Sequence, residues 1–108
     1  MYTDLMDRSL RPQTKRERIL FVDDDEAIVL VAQTSLERLG YAVTCRTDGK
    51  EAERLFAESP HAFDLLITDQ AMPGMKGTEL IAHVRHLNPE IPVILLAGAP
   101  VDELSGGG

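Results

Sequence analysis

Four carboxylates stand where two short apolar runs end. Ile19-Leu20-Phe21-Val22 stops at Asp23-Asp24-Asp25, and Leu65-Leu66-Ile67-Thr68 stops at Asp69. Such runs have the pattern of strands buried on both faces, so each acid sits where a buried strand surfaces into a loop. In open α/β sheets, ligands bind at the carboxyl ends of strands. Adjacent acids cannot all be buried unpaired, because like charges raise one another's pKa and oppose folding; something positive is expected beside them. If the two strands are neighbours, the four acids converge at one end of a sheet. A cluster of oxygen donors of this kind suits a hard cation such as Mg²⁺. Plainer roles compete: Asp69 could cap the next turn, and Asp25 with Glu26 could cap and charge the helix that follows. Capping accounts for one or two of the acids, not for the cluster.

The segments between these acids alternate in type. Glu26 to Leu39 repeats Ile28, Val29, Ala32, Leu36 and Leu39 at helical spacing, and Gly40 follows as a left-handed cap. Leu30 and Val31 widen its apolar face, so this helix is expected to be covered on more than one side. Tyr41 to Arg46 reads as the second strand, with Cys45 a small buried hydrophobe. Lys50 to Glu58 is a short amphipathic helix burying Ala52, Leu55 and Phe56, broken by Ser59-Pro60. Met72-Pro73-Gly74 turns the chain sharply after Asp69. Thr78 to Leu87 is a helix with Leu80, Ile81, Val84 and Leu87 inward, stopped by Asn88-Pro89. Ile91 to Leu96 is the fourth strand, ended by Ala97-Gly98-Ala99-Pro100. Val101 to Leu104 could open a helix that Ser105 and the terminal glycines cannot continue. The order βαβαβαβ predicts a parallel sheet with helices on both faces and right-handed crossovers.

Composition limits the rest. The 108 residues suffice for one core. A net charge of −7 argues against nucleic-acid binding through this domain, which favours a basic face. One cysteine allows no intrachain disulfide. No apolar run approaches the ~20 residues of a membrane span, and the N-terminus lacks a signal-peptide core, so a cytoplasmic location away from membranes is expected. His61, His83 and His86 show no metal-ligand spacing and read as surface residues. Residues 1–17 mix both charges with Pro12, show no sustained periodicity, and read as a flexible leader or linker. Residues 18–104 form the domain and 105–108 a flexible glycine tail.

VDDD after the first strand, Asp at the end of the third, then MPGMKG, together with LGYAV and PVILLAG, resemble the receiver domain of two-component response regulators from about Arg18 to Leu104. The wording ITDQAMPGMKGTEL and IPVILLAG is most similar to receivers of hybrid histidine kinases. The resemblance implies a flavodoxin-like α/β fold with strand order 2-1-3-4, the fifth strand and helix of the family being absent from this chain. It implies a signalling domain rather than an enzyme, with residual self-phosphorylation and autodephosphorylation. Asp69 would be the phosphoacceptor, served by a sensor histidine kinase or a histidine phosphotransfer domain. Asp23, Asp24, Asp69 and the backbone carbonyl of Ala71 would hold Mg²⁺.

Two departures accompany the resemblance. The family's Thr or Ser at the end of the fourth strand is here Ala97, which has no hydroxyl, and the family's fifth-strand Lys has no counterpart; Lys76 lies elsewhere. Impaired switching is therefore expected. The fourth strand is expected to be a sheet edge through which the chain self-associates. Two other readings stand beside the first. One is a degenerate receiver acting as an interaction module. The other is a haloacid-dehalogenase-like phosphatase, from Asp23-x-Asp25, against which Ala27 and the lack of room for later motifs count.

Overall fold

The computed structural model describes residues 16–97; the expected leader before residue 16, the glycine tail and the helix at 101–104 lie outside the described residues. Four strands and three helices alternate: β1 (Arg18–Val22), α1 (Glu26–Arg38), β2 (Ala42–Arg46), α2 (Gly49–Glu58), β3 (Leu65–Asp69), α3 (Gly77–Leu87) and β4 (Val93–Leu96). All pairings are parallel, in the order β2-β1-β3-β4. The parallel α/β sheet expected from the alternating pattern is observed, in the flavodoxin-like strand order that the family resemblance implies.

Side chains alternate across the pleat and so divide the core in two. Leu20, Val22 and Leu66 point to one face, where Ala52 and Phe56 of α2 and Leu80 and Val84 of α3 cover them. Ile19, Phe21 and Ile67 point to the other, against Val29, Ala32 and Leu36 of α1. Phe56 also stacks on Phe63, ring centroids 6.3 Å apart, which ties α2 to the approach of β3.

The helix starts are set by acids. Asp25 Oδ1 accepts the N–H groups of Ala27 (2.9 Å) and Ile28 (3.4 Å), and Asp48 Oδ1 accepts that of Lys50 (3.0 Å). Gly40, with φ of 101°, carries the left-handed turn that ends α1. Asp48→Ala should lower stability by about 1 kcal/mol while Asp48→Ser loses little, as read by urea unfolding.

Several local expectations shift. The fourth strand starts at Val93, not Ile91: Pro92 has no N–H for the ladder, although its carbonyl accepts Leu66 N–H at 3.1 Å. Ile91 is buried in the core all the same. Tyr41 precedes β2 and packs on the α1 side of the sheet. Leu87, in the last turn of α3, is exposed. Cys45 is half-buried, not buried, because β2 is an edge strand only partly covered by α1; burial raises its thiol pKa, and Glu37 adds to the effect. The wide apolar face of α1 is not covered among the described residues: Val29 is its one buried residue, while Ile28, Leu30 and Val31 are exposed.

Candidate functional site

β1 and β3 are adjacent, with Val22 opposite Thr68 in register, so both acid-bearing ends emerge side by side. Asp23, Asp24 and Asp69 each offer a carboxylate oxygen, and these oxygens lie within 4.8 Å of one another. Asp23 is buried, Asp69 half-buried and Asp24 exposed. Asp25 is not part of this group; it faces the start of α1 as its cap.

Burial holds the Asp23 carboxyl above its usual pKa, and the neighbouring charges of Asp69, Asp24 and Asp25 raise it further; the Asp25 N–H donated to Asp23 Oδ1 (2.9 Å) offsets part of this. The folded chain therefore holds this proton more tightly than the unfolded chain does. The stability cost is present above the folded pKa and fades as pH falls through it. No Lys or Arg forms an ion pair with the three acids among the described residues. The expected positive partner is thus not a side chain of this part of the protein. A hard cation fits the donor set, which is all carboxylate.

The loop after Asp69 is pinned at both ends. Gln70 carbonyl accepts Met72 N–H (3.1 Å) and Gly77 N–H (3.0 Å), and Gln70 Oε1 accepts Thr78 N–H (2.9 Å). Met72 and Met75 insert into the core between these points, while Pro73 and Gly74 remain exposed, Gly74 with φ of 81°. Lys76 is exposed at the start of α3, where Glu79 accepts its N–H at 2.8 Å. Gly77 touches the strand itself: a Cβ there would lie under 3.0 Å from the Asp69 carbonyl oxygen and 2.9 Å from Leu95 Cδ1. Beside the acids a cavity of about 390 Å³ is lined by Asp24, Thr47, Asp48, Lys50, Pro73 and Gly74.

The description "Response regulator receiver domain" matches residues 19–104. The chain belongs to the response regulator receiver family. Among curated relatives, this receiver is 38% identical over 80 residues to the two-component response regulator ARR14 of Arabidopsis thaliana, covering 74% of this chain and 21% of that protein. It is 37% identical over 81 residues to the alkaline phosphatase synthesis transcriptional regulatory protein PhoP of Bacillus subtilis, covering 74% of this chain and 32% of that one. It therefore spans about a fifth to a third of the length of these relatives. A receiver domain from Clostridium thermocellum superimposes with a TM-score of 0.76 at 29% identity, covering 83% of this chain and 70% of the other. The response regulator TrrA of Thermotoga maritima, solved in complex with Mg²⁺-BeF, gives 0.73 at 31% identity, covering 82% and 75%.

Receivers are signalling domains, and no helix among the described residues is long and apolar enough to cross a membrane. The structure brings together three of the acids singled out in the sequence, and Ala71, two residues after Asp69, is exposed. Ala97 is exposed and directly follows Leu96, the register partner of Asp69. His61, His83 and His86 are exposed as expected, with His83 Nδ1 3.3 Å from Glu53 Oε2. Sequence reasoning missed Gln70, Gly77 and the two buried methionines. A visible signal was the pair Met72 and Met75, apolar residues inside an otherwise turn-like stretch.

Proposed function

We propose that this receiver accepts a phosphoryl group on Asp69 from the phosphohistidine of a sensor kinase or phosphotransfer domain, with Mg²⁺ present, and that it switches weakly. The carboxylate cluster of Asp23, Asp24 and Asp69 at adjoining strand ends is the observation that carries this reading. An Asp69 carboxylate oxygen attacks phosphorus, the P–N bond breaks, and its electron pair returns to the imidazole of the donor. Asp23 and Asp24, with Asp69 and the carbonyl of Ala71, are assigned to hold the metal. Bound there, Mg²⁺ would neutralise charge on the phosphoryl oxygens and orient them. The fit of an all-oxygen donor set and the Mg²⁺-BeF complex of a receiver of similar fold support this assignment.

The cavity beside Asp24 leaves room for a phosphodonor, and Lys50 on its rim supplies positive charge. Asp23 is a poor nucleophile by comparison, being buried with one oxygen engaged by Asp25 N–H. That geometry also weighs against the dehalogenase-like phosphatase, since Asp25 is occupied as a helix cap. The test is transfer of labelled phosphate from a phosphohistidine domain or acetyl phosphate, with the product mapped by peptide. Acyl phosphate on Asp69, lost on chelation of Mg²⁺ before the reaction, is expected; label on Asp23 would overturn the assignment.

Metal binding should show in stability. Binding only the folded state contributes RT ln(1 + [L]/Kd), about 1.4–2.7 kcal/mol at ten- to hundredfold excess over Kd. Thermal melts should rise with Mg²⁺ relative to EDTA, and Asp24→Asn should remove most of the difference. Equal midpoints for the native chain would remove the metal site.

Ala97 favours a second reading, an interaction module without productive switching, because the position beside Asp69 offers no hydroxyl to the phosphoryl oxygens. A ligand shifts a conformational equilibrium only by its differential contacts with the two states. Beryllium fluoride should therefore move backbone NMR signals near Asp69 much more than those at Leu96 and Ala97. Ala97→Thr should restore part of the response at the second location. Large shifts at Ala97 in the native chain would show that switching needs no hydroxyl there.

A further inference from the structure

The three helices begin differently. Asp25 and Asp48, the residues directly before α1 and α2, cap those helices with their own carboxylates. Lys76 stands in that place before α3, and a lysine side chain carries only donors, so it can accept no backbone N–H. The first two N–H groups of α3 go instead to one residue across the loop. Gly77 N–H is donated to the Gln70 carbonyl (3.0 Å) and Thr78 N–H to Gln70 Oε1 (2.9 Å). The second partner must be the amide oxygen, since a backbone N–H needs an acceptor. Helix starts leave such N–H groups without intrahelical partners, and a side-chain oxygen that accepts one of them is a cap. Gln70 therefore caps α3, from eight residues before the N–H that it accepts.

The same residue governs the peptide unit that follows. Gln70 carbonyl also accepts Met72 N–H at 3.1 Å, a bond that closes a γ-turn centred on Ala71. In a trans peptide the C=O points opposite to the N–H. Fixing Met72 N–H therefore fixes the direction of the Ala71 carbonyl, because the two belong to one peptide unit. Gln70 N–H is in turn donated to the Leu96 carbonyl at the end of β4, at 3.0 Å. The N–H, the carbonyl and the side-chain oxygen of Gln70 are thus each held, by β4, by the loop and by α3. We propose that Gln70 is the positioning residue of the metal site: its side chain, by capping α3, locks the orientation in which the Ala71 carbonyl is presented. This inference rests on the assignment of that carbonyl to Mg²⁺ proposed above. Groups that hold a metal ligand in place from outside tune affinity as well as orientation. In this role Gln70 touches neither metal nor phosphoryl group and acts through Ala71.

Calorimetric titration of the full chain with Mg²⁺ tests the role. Gln70→Met keeps the length of the side chain and every backbone bond but removes the oxygen, whereas Gln70→Glu keeps an oxygen for Thr78 N–H. The Kd for Mg²⁺ should rise about three- to tenfold in Gln70→Met, the range that one net hydrogen bond is worth. Gln70→Glu should restore most of the affinity. Val84→Ala loosens the core beneath α3 and leaves the Gln70 bonds in place, so it should bind Mg²⁺ as the native chain does. Loss of stability alone would not rank the variants in this order. In the metal-free chain, amide exchange at Met72 and Thr78 should quicken several-fold in Gln70→Met and not in Gln70→Glu. Equal Mg²⁺ affinity in the native chain and Gln70→Met would overturn the inference and leave the metal site standing. A Val84→Ala chain weakened as much as Gln70→Met would overturn it too. A native chain that binds no Mg²⁺ would remove the metal site itself, and with it any ligand for Gln70 to position.

Discussion

Asp69→Asn should take up no phosphate from acetyl phosphate or a phosphohistidine donor, while Asp23→Asn and Asp24→Asn slow the uptake without moving it. The carboxamide keeps the shape of the side chain but loses the anionic oxygen proposed to attack phosphorus, so the expected loss is complete rather than partial. Asp23 cannot take over, because its carboxylate is buried and held by Asp25 N–H at 2.9 Å. Loss of fold is not the expected reason for silence. The charge of Asp69 is one of the causes that raise the Asp23 pKa, so removing it relieves repulsion and should leave the metal-free chain at least as stable as the native one. Phosphate incorporation into a folded Asp69→Asn variant would end the assignment of this residue.

Gly77→Ala is expected to unsettle both fold and site. A Cβ at this position meets two neighbours at under 3.0 Å, the Leu95 side chain and the Asp69 carbonyl oxygen. The leucine methyl can swing aside. The carbonyl cannot do so cheaply, since it belongs to a strand hydrogen-bonded on both sides and accepts the Thr68 hydroxyl at 3.0 Å. Overpacking of this kind costs about 1–3 kcal/mol, and the backbone clash places this substitution at the upper end. For a domain of this size that corresponds to a fall in Tm of roughly 10 °C or more. Relief comes only by moving the end of β3 or the start of α3, and the first of these carries Asp69, the proposed phosphoacceptor. Phosphorylation should therefore slow more than in Val84→Ala, a cavity variant of comparable or larger instability in the core beneath α3. A Gly77→Ala protein within 0.5 kcal/mol of native, with unchanged phosphorylation, would show that the contact yields freely.

Much of the architecture was legible because it rests on short-range patterns. Continuous apolar runs ending in acids marked β1 and β3, and their adjacency placed Asp23, Asp24 and Asp69 together. What escaped is set by tertiary contacts. Gly77 reads as one more turn residue until the Asp69 carbonyl is seen against it. Met72 and Met75 read as loop residues because a turn carries no periodicity to reveal which side chains point inward. The wide apolar face of α1 was legible, but its covering was not, since sequence pattern shows that a face is apolar without showing what meets it. The same holds for Cys45, whose half-burial follows from the edge position of β2 rather than from its neighbours in the chain.

The hydrogen bonds of Gln70 give the segment that follows Asp69 the character of a detachable cassette. Its two ends are fastened to each other through Gln70 carbonyl and Gly77 N–H, and its middle is anchored by two methionines. Pro73, Gly74 and Lys76 are exposed between those fastenings. Sequence drift at Pro73 and Gly74 can reshape the rim of the cavity beside Asp24 without displacing Asp69, the proposed phosphoacceptor. Specificity and reactivity can thus evolve on separate residues only a few positions apart.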